Sequence, residues 1–137
     1  MEPYVHKVQY YETDKMGIVH HSNYIRWMEE ARIDFLEKMG MGYQQMEAAG
    51  ILSPVLSVEA KYLRMVYFGD TVTIQTMIKE YNGIKLTVAY EILNDKTGMV
   101  HCSGVTKHCF INKEGKPLSL KQACPEFHNL FAAGVTK

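Results

Sequence analysis

The sequence predicts an α+β domain in which one long amphipathic helix lies across a single antiparallel sheet. Three observations carry this reading. In "NYIRWMEEARIDFLEKMG", residues 23–40, Tyr24, Trp27, Met28, Ala31, Phe35 and Met39 recur at three- and four-residue steps, the period of a helix with one apolar face. After Pro54 the texture changes to alternation with period two, broken by turn residues that include Asn82-Gly83. A sheet of this kind has one face to bury, and the helix is the only large apolar partner in the chain.

Each element follows in order. Residues 4–11, "YVHKVQYY", read as a strand, with Val5, Lys7 and Gln9 facing opposite to Tyr4, His6, Val8 and Tyr10. The long helix comes next, with Ser22 as its expected N-cap, Gly40 and Gly42 as its stop, and Arg26 and Glu30 spaced to pair on its charged face. "YQQMEAA" predicts a short helix before Gly50. "VLSVEAKYLRMV" then alternates as a strand, and "FGD" turns it into "TVTIQTMIKEY". Asn82-Gly83 predicts a hairpin into "IKLTVAYEIL", and "NDKTG" turns into the last strand, "MVHCSGVTKHCFIN". The expected order is therefore strand, long helix and four antiparallel strands of meander type. The stretch Ser119 to Ala133 predicts a terminal helix.

Composition narrows the function. A chain of 137 residues with 47% hydrophobic and 22% charged residues is long enough to bury a real core. No repeat or linker divides it, so residues 1–137 are read as one domain. The formal net charge is zero, which lacks the electrostatic footprint of a nucleic-acid-binding domain. Charge is uneven, however. Residues 96–137 carry six lysines against Glu114 and Glu126, a basic end suited to a small anionic ligand. No apolar run approaches the roughly 20 residues of a membrane span, and the N-terminus lacks the regions of a signal peptide, so the expectation is a cytoplasmic protein without a transmembrane segment. Cys102, Cys109 and Cys124 show no CxxC spacing. His101 and Cys109 would share a strand face but stand about 26 Å apart, too far for one metal ion. The nine methionines read as core filling, with Met28, Met39, Met41 and Met46 on the helical segment the candidates to contact an apolar ligand.

The chemistry concentrates in "YYETDKMGIVHHSNY", residues 10–24. Asp14 sits three residues before Gly17 and seven before His21, at the start of the expected helix. The first turn of a helix has unpaired N–H groups and partial positive charge, and can stabilise an oxyanion. A carboxylate beside it can activate water or attack directly. Gly17 would let the backbone approach a ligand closely. By residue type and spacing alone, the segment is either a site of acyl transfer or hydrolysis, or a polar turn at a helix boundary. Lys61 and Arg64, with the late lysines, are either phosphate contacts or solvated strand-edge cations.

The same stretch, extended to "YYETDKMGIVHHSNYIRWMEEAR", resembles the signature of acyl-CoA thioesterases of the 4-hydroxybenzoyl-CoA thioesterase type, including the Tol-Pal-associated branch. The match runs through Tyr11, Thr13, Asp14, Gly17, His21, Asn23, Tyr24, Glu29 or Glu30, Ala31 and Arg32. "YLRMVYFGDTVTI", with its Gly69-Asp70 turn, is similar to the strands that follow in that family, and the likeness extends from about residue 4 to 112. The resemblance implies the hotdog fold, a curved antiparallel sheet of about five strands wrapped around a central helix. It also implies a homodimer or homotetramer with sites at the subunit interface, acting on an acyl-CoA. Asp14 matches the catalytic carboxylate, as nucleophile or general base, with backbone N–H groups near His21 as oxyanion donors. His21 and Tyr10 match a histidine and an aromatic of the same pocket and are expected with Asp14 among the catalytic residues. Gly17, Asn23, Lys61 and Arg64 are the expected substrate contacts. Because a thiol with a pKa of about 8.5 leaves readily as thiolate, no metal and no cofactor is required. A hotdog hydratase would instead place a histidine five residues after its aspartate, near Asn-Pro, which is absent here. A non-catalytic acyl-CoA-binding regulator or scaffold would bind acyl-CoA without releasing CoA.

Overall fold

A computed structural model describes residues 2–136. Its elements are β1 (Tyr4–Lys7), a 3-10 turn (Tyr10–Glu12), α1 (Ser22–Lys38), α2 (Tyr43–Ala48), β2 (Val55–Tyr62), β3 (Thr71–Tyr81), β4 (Lys85–Asn94), β5 (Val100–Cys109), α3 (Leu120–Ala123) and α4 (Pro125–Ala133). The five strands form one antiparallel sheet in the order β1-β3-β4-β5-β2.

This order corrects the expected four-strand meander. Only β3, β4 and β5 follow one another; β2 leaves them and pairs with the far side of β5, Val58 against Thr106 and Tyr62 against Cys102. The reason lies in residues 63–70, which form a crossover rather than a tight turn. Val66 is buried under it, the Val66 carbonyl accepts the Val19 N–H, and the Phe68 N–H donates to the Gly17 carbonyl. Alternation identifies strands and faces but carries no information on which strands are neighbours.

The helix does lie on the sheet. Tyr24, Trp27, Met28 and Ala31 are buried on its inner face, and Phe35 and Met39 pack at the margin of the same core. Facing them are Val72, Ile74 and Ile78 of β3, Val88, Tyr90 and Ile92 of β4, and Cys102 of β5. A β-bulge between Ile78 and Glu80 adds a residue to β3 and bends the sheet. Met28, Met41 and Met46 are buried in the core, as core filling predicts.

Three local expectations change. His21, not Ser22, occupies the N-cap of α1, and no side chain caps the helix there. Glu30 turns toward β1 and accepts the Tyr4 hydroxyl at 2.9 Å, while the four-residue pair on α1 is Asp34 with Lys38 at 2.8 Å. The terminal helix is split at Cys124, where Pro125 begins α4 because a proline needs no N–H partner at a first turn. Phe127 and Phe131 of α4 are buried, and Phe131 stacks on Tyr81 at 5.3 Å.

Candidate active site

Asp14 stands in a tight loop closed by the bridge between Thr13 and Val19. Its backbone N–H donates to the Ile18 carbonyl at 2.8 Å, and its Oδ1 accepts the N–H groups of Met16 at 2.7 Å and Ile18 at 3.2 Å. Both bonds use Oδ1, so Oδ2 stays available on the exposed side of the carboxylate. Gly17 has φ +74°, a left-handed conformation that the turn requires, and a Cβ built there meets no atom within 4 Å. Backbone conformation, rather than close approach of a ligand, explains this glycine.

Across from Asp14 is the start of α1. The N–H groups here are satisfied unequally: His20 donates to the Glu12 carbonyl, Ser22 to His20 Nδ1, and Asn23 to the His20 carbonyl. Among the described residues no acceptor takes the His21 N–H. That amide, at the positive end of a 17-residue helix, is available to an oxygen that gains charge.

Asp14, His20, His21 and Tyr24 line one cleft of about 420 Å³ with Tyr62, Leu63 and Arg64 from the end of β2. The rings of His21 and Tyr62 meet edge to face at 6.1 Å, and those of Tyr24 and Tyr62 lie tilted at 5.2 Å. Arg64 brings the cleft a cation that can meet phosphate. Cys102 lies behind the wall, where burial pushes its thiol up to about 12 and keeps it protonated, so it offers no thiolate nucleophile. Burial likewise raises the Tyr24 phenol to about 12.

The other expected contacts stand elsewhere. Lys61 pairs with Ser103 on the outer face of the sheet, beside Glu59, Lys79 and Glu91, whereas its neighbour Tyr62 faces the cleft. Alternation along β2 puts Lys61 and Tyr62 on opposite faces, and the packing of the sheet decides which of the two meets the cleft. Asn23 is buried and spends its amide on the carbonyls of Glu12 at 2.8 Å and His20 at 3.3 Å, so it braces the loop from beneath. Tyr10 is 75% exposed, packs edge-on against Phe68 at 5.6 Å, and is not on the cleft wall.

A buried cluster escaped the sequence reading. Glu12 is 4% exposed and accepts three donors: Trp27 Nε1 at 2.6 Å, Gln9 N–H at 2.7 Å and His6 Nε2 at 2.8 Å. Burial alone would raise its pKa; the bonds from Gln9, His6 and Trp27 outweigh that and hold the carboxyl below its ordinary value. Its nearness to Asp14 in "YETD" was the available signal. Among the described residues no three metal-ligating side chains converge.

One long helix lying on a five-stranded antiparallel sheet, with Asp14 and His21 lining one cleft at the helix start, defines a hotdog-fold domain. The chain belongs to the thioesterase-like superfamily, whose model matches residues 8–129. A Bacillus subtilis relative provisionally named acyl-CoA thioesterase YneP is 36% identical over 91% of each chain. The acyl-CoA thioester hydrolase YbgC of Escherichia coli O157:H7 is 26% identical over 85% of this chain and 87% of that one. Among solved structures, a DHNA-CoA thioesterase from Staphylococcus aureus superposes with a TM-score of 0.90 at 32% identity, covering 96% of this chain and 89% of its own.

Proposed function

We propose that the protein is an acyl-CoA thioesterase, one domain over residues 1–137 that hydrolyses an acyl-CoA to free acid and CoA in the cytoplasm. The observation that carries this reading is one cleft lined by Asp14 and by His21, whose N–H meets no acceptor among the described residues. The names of the relatives support the same chemistry, and the loop motif supports the Tol-Pal-associated branch. In the general-base route Asp14 takes a proton from water as the water oxygen bonds to the thioester carbon. The carbonyl electron pair moves onto oxygen and is held by the His21 N–H. Collapse breaks the C–S bond, and the departing thiolate recovers the proton from Asp14. In the nucleophilic route Asp14 itself bonds to that carbon, the thiolate leaves, and water opens the resulting anhydride.

The reading includes a homodimer. β2 is an edge strand with Val55, Leu56, Val58, Tyr62 and Leu63 all exposed, an unprotected apolar edge of the kind a partner covers. Tyr62 and Leu63 also line the cleft, so a second copy on this edge would cover the open side of the site. The retained Asp14 favours turnover over a binding-only regulator or scaffold.

The test is CoA release, followed with a thiol reagent, on short aliphatic, long-chain and aromatic acyl-CoAs. Asp14→Asn is expected to lower kcat on the order of 10²- to 10⁴-fold. A variant as fast as the parent would sink the proposal. Label in the Asp14 carboxylate after a single turnover in heavy-oxygen water would establish the nucleophilic route, with water opening the anhydride at the Asp14 carbon, since the general-base route never bonds water oxygen to Asp14.

A further inference from the structure

We propose that Glu12 is a positioning residue for thioester hydrolysis, its buried carboxylate clamping the Asp14 loop to α1 and β1. The inference rests on the thioesterase reading above. Glu12 precedes Asp14 by two residues and is tied on both its side chain and its backbone. The carboxylate accepts Trp27 Nε1 from α1, His6 Nε2 from β1 and the Gln9 N–H from the loop itself. The backbone carbonyl accepts the His20 N–H at 2.9 Å and Asn23 Nδ2 at 2.8 Å. One residue thus joins the segment before Asp14 to the segment that presents the His21 amide.

A buried carboxylate is a costly way to hold a loop, since an apolar side chain of similar volume supplies packing without desolvating a charge. What the carboxylate adds is direction: three donors from three segments converge on it along set lines. Hydrolysis needs that accuracy, because a displacement of about 1 Å between reacting groups can cost 10²-fold in rate. The charged and titratable groups around the clamp are His6 and Tyr4 from β1 and Glu30 from α1, with Tyr4 and His6 both turned to Glu30.

Glu12→Gln keeps the shape and sets an amide N–H against Trp27 or His6. Trp27→Phe keeps the carboxylate and removes the indole donor together with part of the buried ring. With folding checked by thermal melting, both variants are expected to lose roughly 10- to 100-fold in kcat while KM for acyl-CoA stays within about threefold. Trp27 is the sole tryptophan, so its emission reads the clamp directly and is expected to change in Glu12→Gln. If Glu12→Gln fails to fold, Trp27→Phe decides. An active parent whose folded variants keep kcat within about twofold, or lose affinity instead of rate, overturns the inference alone. A parent that releases no CoA overturns the thioesterase reading and this inference together.

Discussion

His108 shows what burial does to a single titratable residue in this core. It sits on the inner face of β5, 1% exposed, with Nε2 at 2.7 Å from Thr106 Oγ1. Thr106 meets the Tyr90 hydroxyl at 2.7 Å, and Arg32 reaches that hydroxyl at 3.5 Å. Its Nδ1 makes no complete hydrogen bond, and the Pro54 carbonyl nearby is only a partial counterweight. Burial first, and the Arg32 charge second, push its pKa down from 6.5 to about 4. Between those values the unfolded chain binds a proton that the folded chain refuses, so stability falls as pH drops through this window and levels off below it. The loss from this group approaches about 3 kcal/mol. His108→Gln is expected to flatten that part of the pH profile, measured by urea unfolding from pH 7 to 4. Glu12 acts in the same direction lower on the scale: its depressed pKa gives stability above the unfolded value that is lost as pH falls through the folded one. Asp14 and His21 were legible at this scale because their relation is local. The partners of Glu12 were not, since His6 and Trp27 reach it only after β1 and α1 have packed.

At the scale of elements, the contact between α1 and the sheet depends on a glycine that reads as a strand defect in sequence. Gly104 lies in the middle of β5 with an ordinary negative φ, and a Cβ there would collide with the Sδ and Cε of Met28 and crowd the Glu59 carbonyl. The missing side chain is what lets the helix settle on β5. Gly104→Val is expected to cost about 1–3 kcal/mol in urea unfolding, because overpacking forces Met28 off its rotamer or lifts the helix. The long strands and the helix face from Tyr24 to Met39 were legible from their periods, while the first strand stops at Lys7 and residues expected to continue it turn at Tyr10–Glu12. The place of β2 was not legible. A chain of alternating strands with turns between them reads as a meander, and only the buried crossover at Val66 carries β2 past β4 and β5 to the other edge.

For the whole molecule, the exposed apolar edge of β2 sets the main prediction. The parent is expected to behave in light scattering as twice the chain mass or a multiple of it. Val58→Glu, which puts a charge on that edge, is expected to give monomer and to lose turnover with Asp14 intact. A parent that stays monomeric and active would remove the dimer from the proposal. What the sequence determined by itself is what short-range order can carry: the long strands and the main helix from their periods, Asp14 in a loop before that helix, the helix start beside His21. The tertiary structure alone decided the strand order, the burial of Glu12 between β1 and α1, and the separation of Lys61 from the cleft. Each of these depends on which surfaces far apart in the chain come into contact, and burial against a distant partner leaves no periodic mark on the residues between.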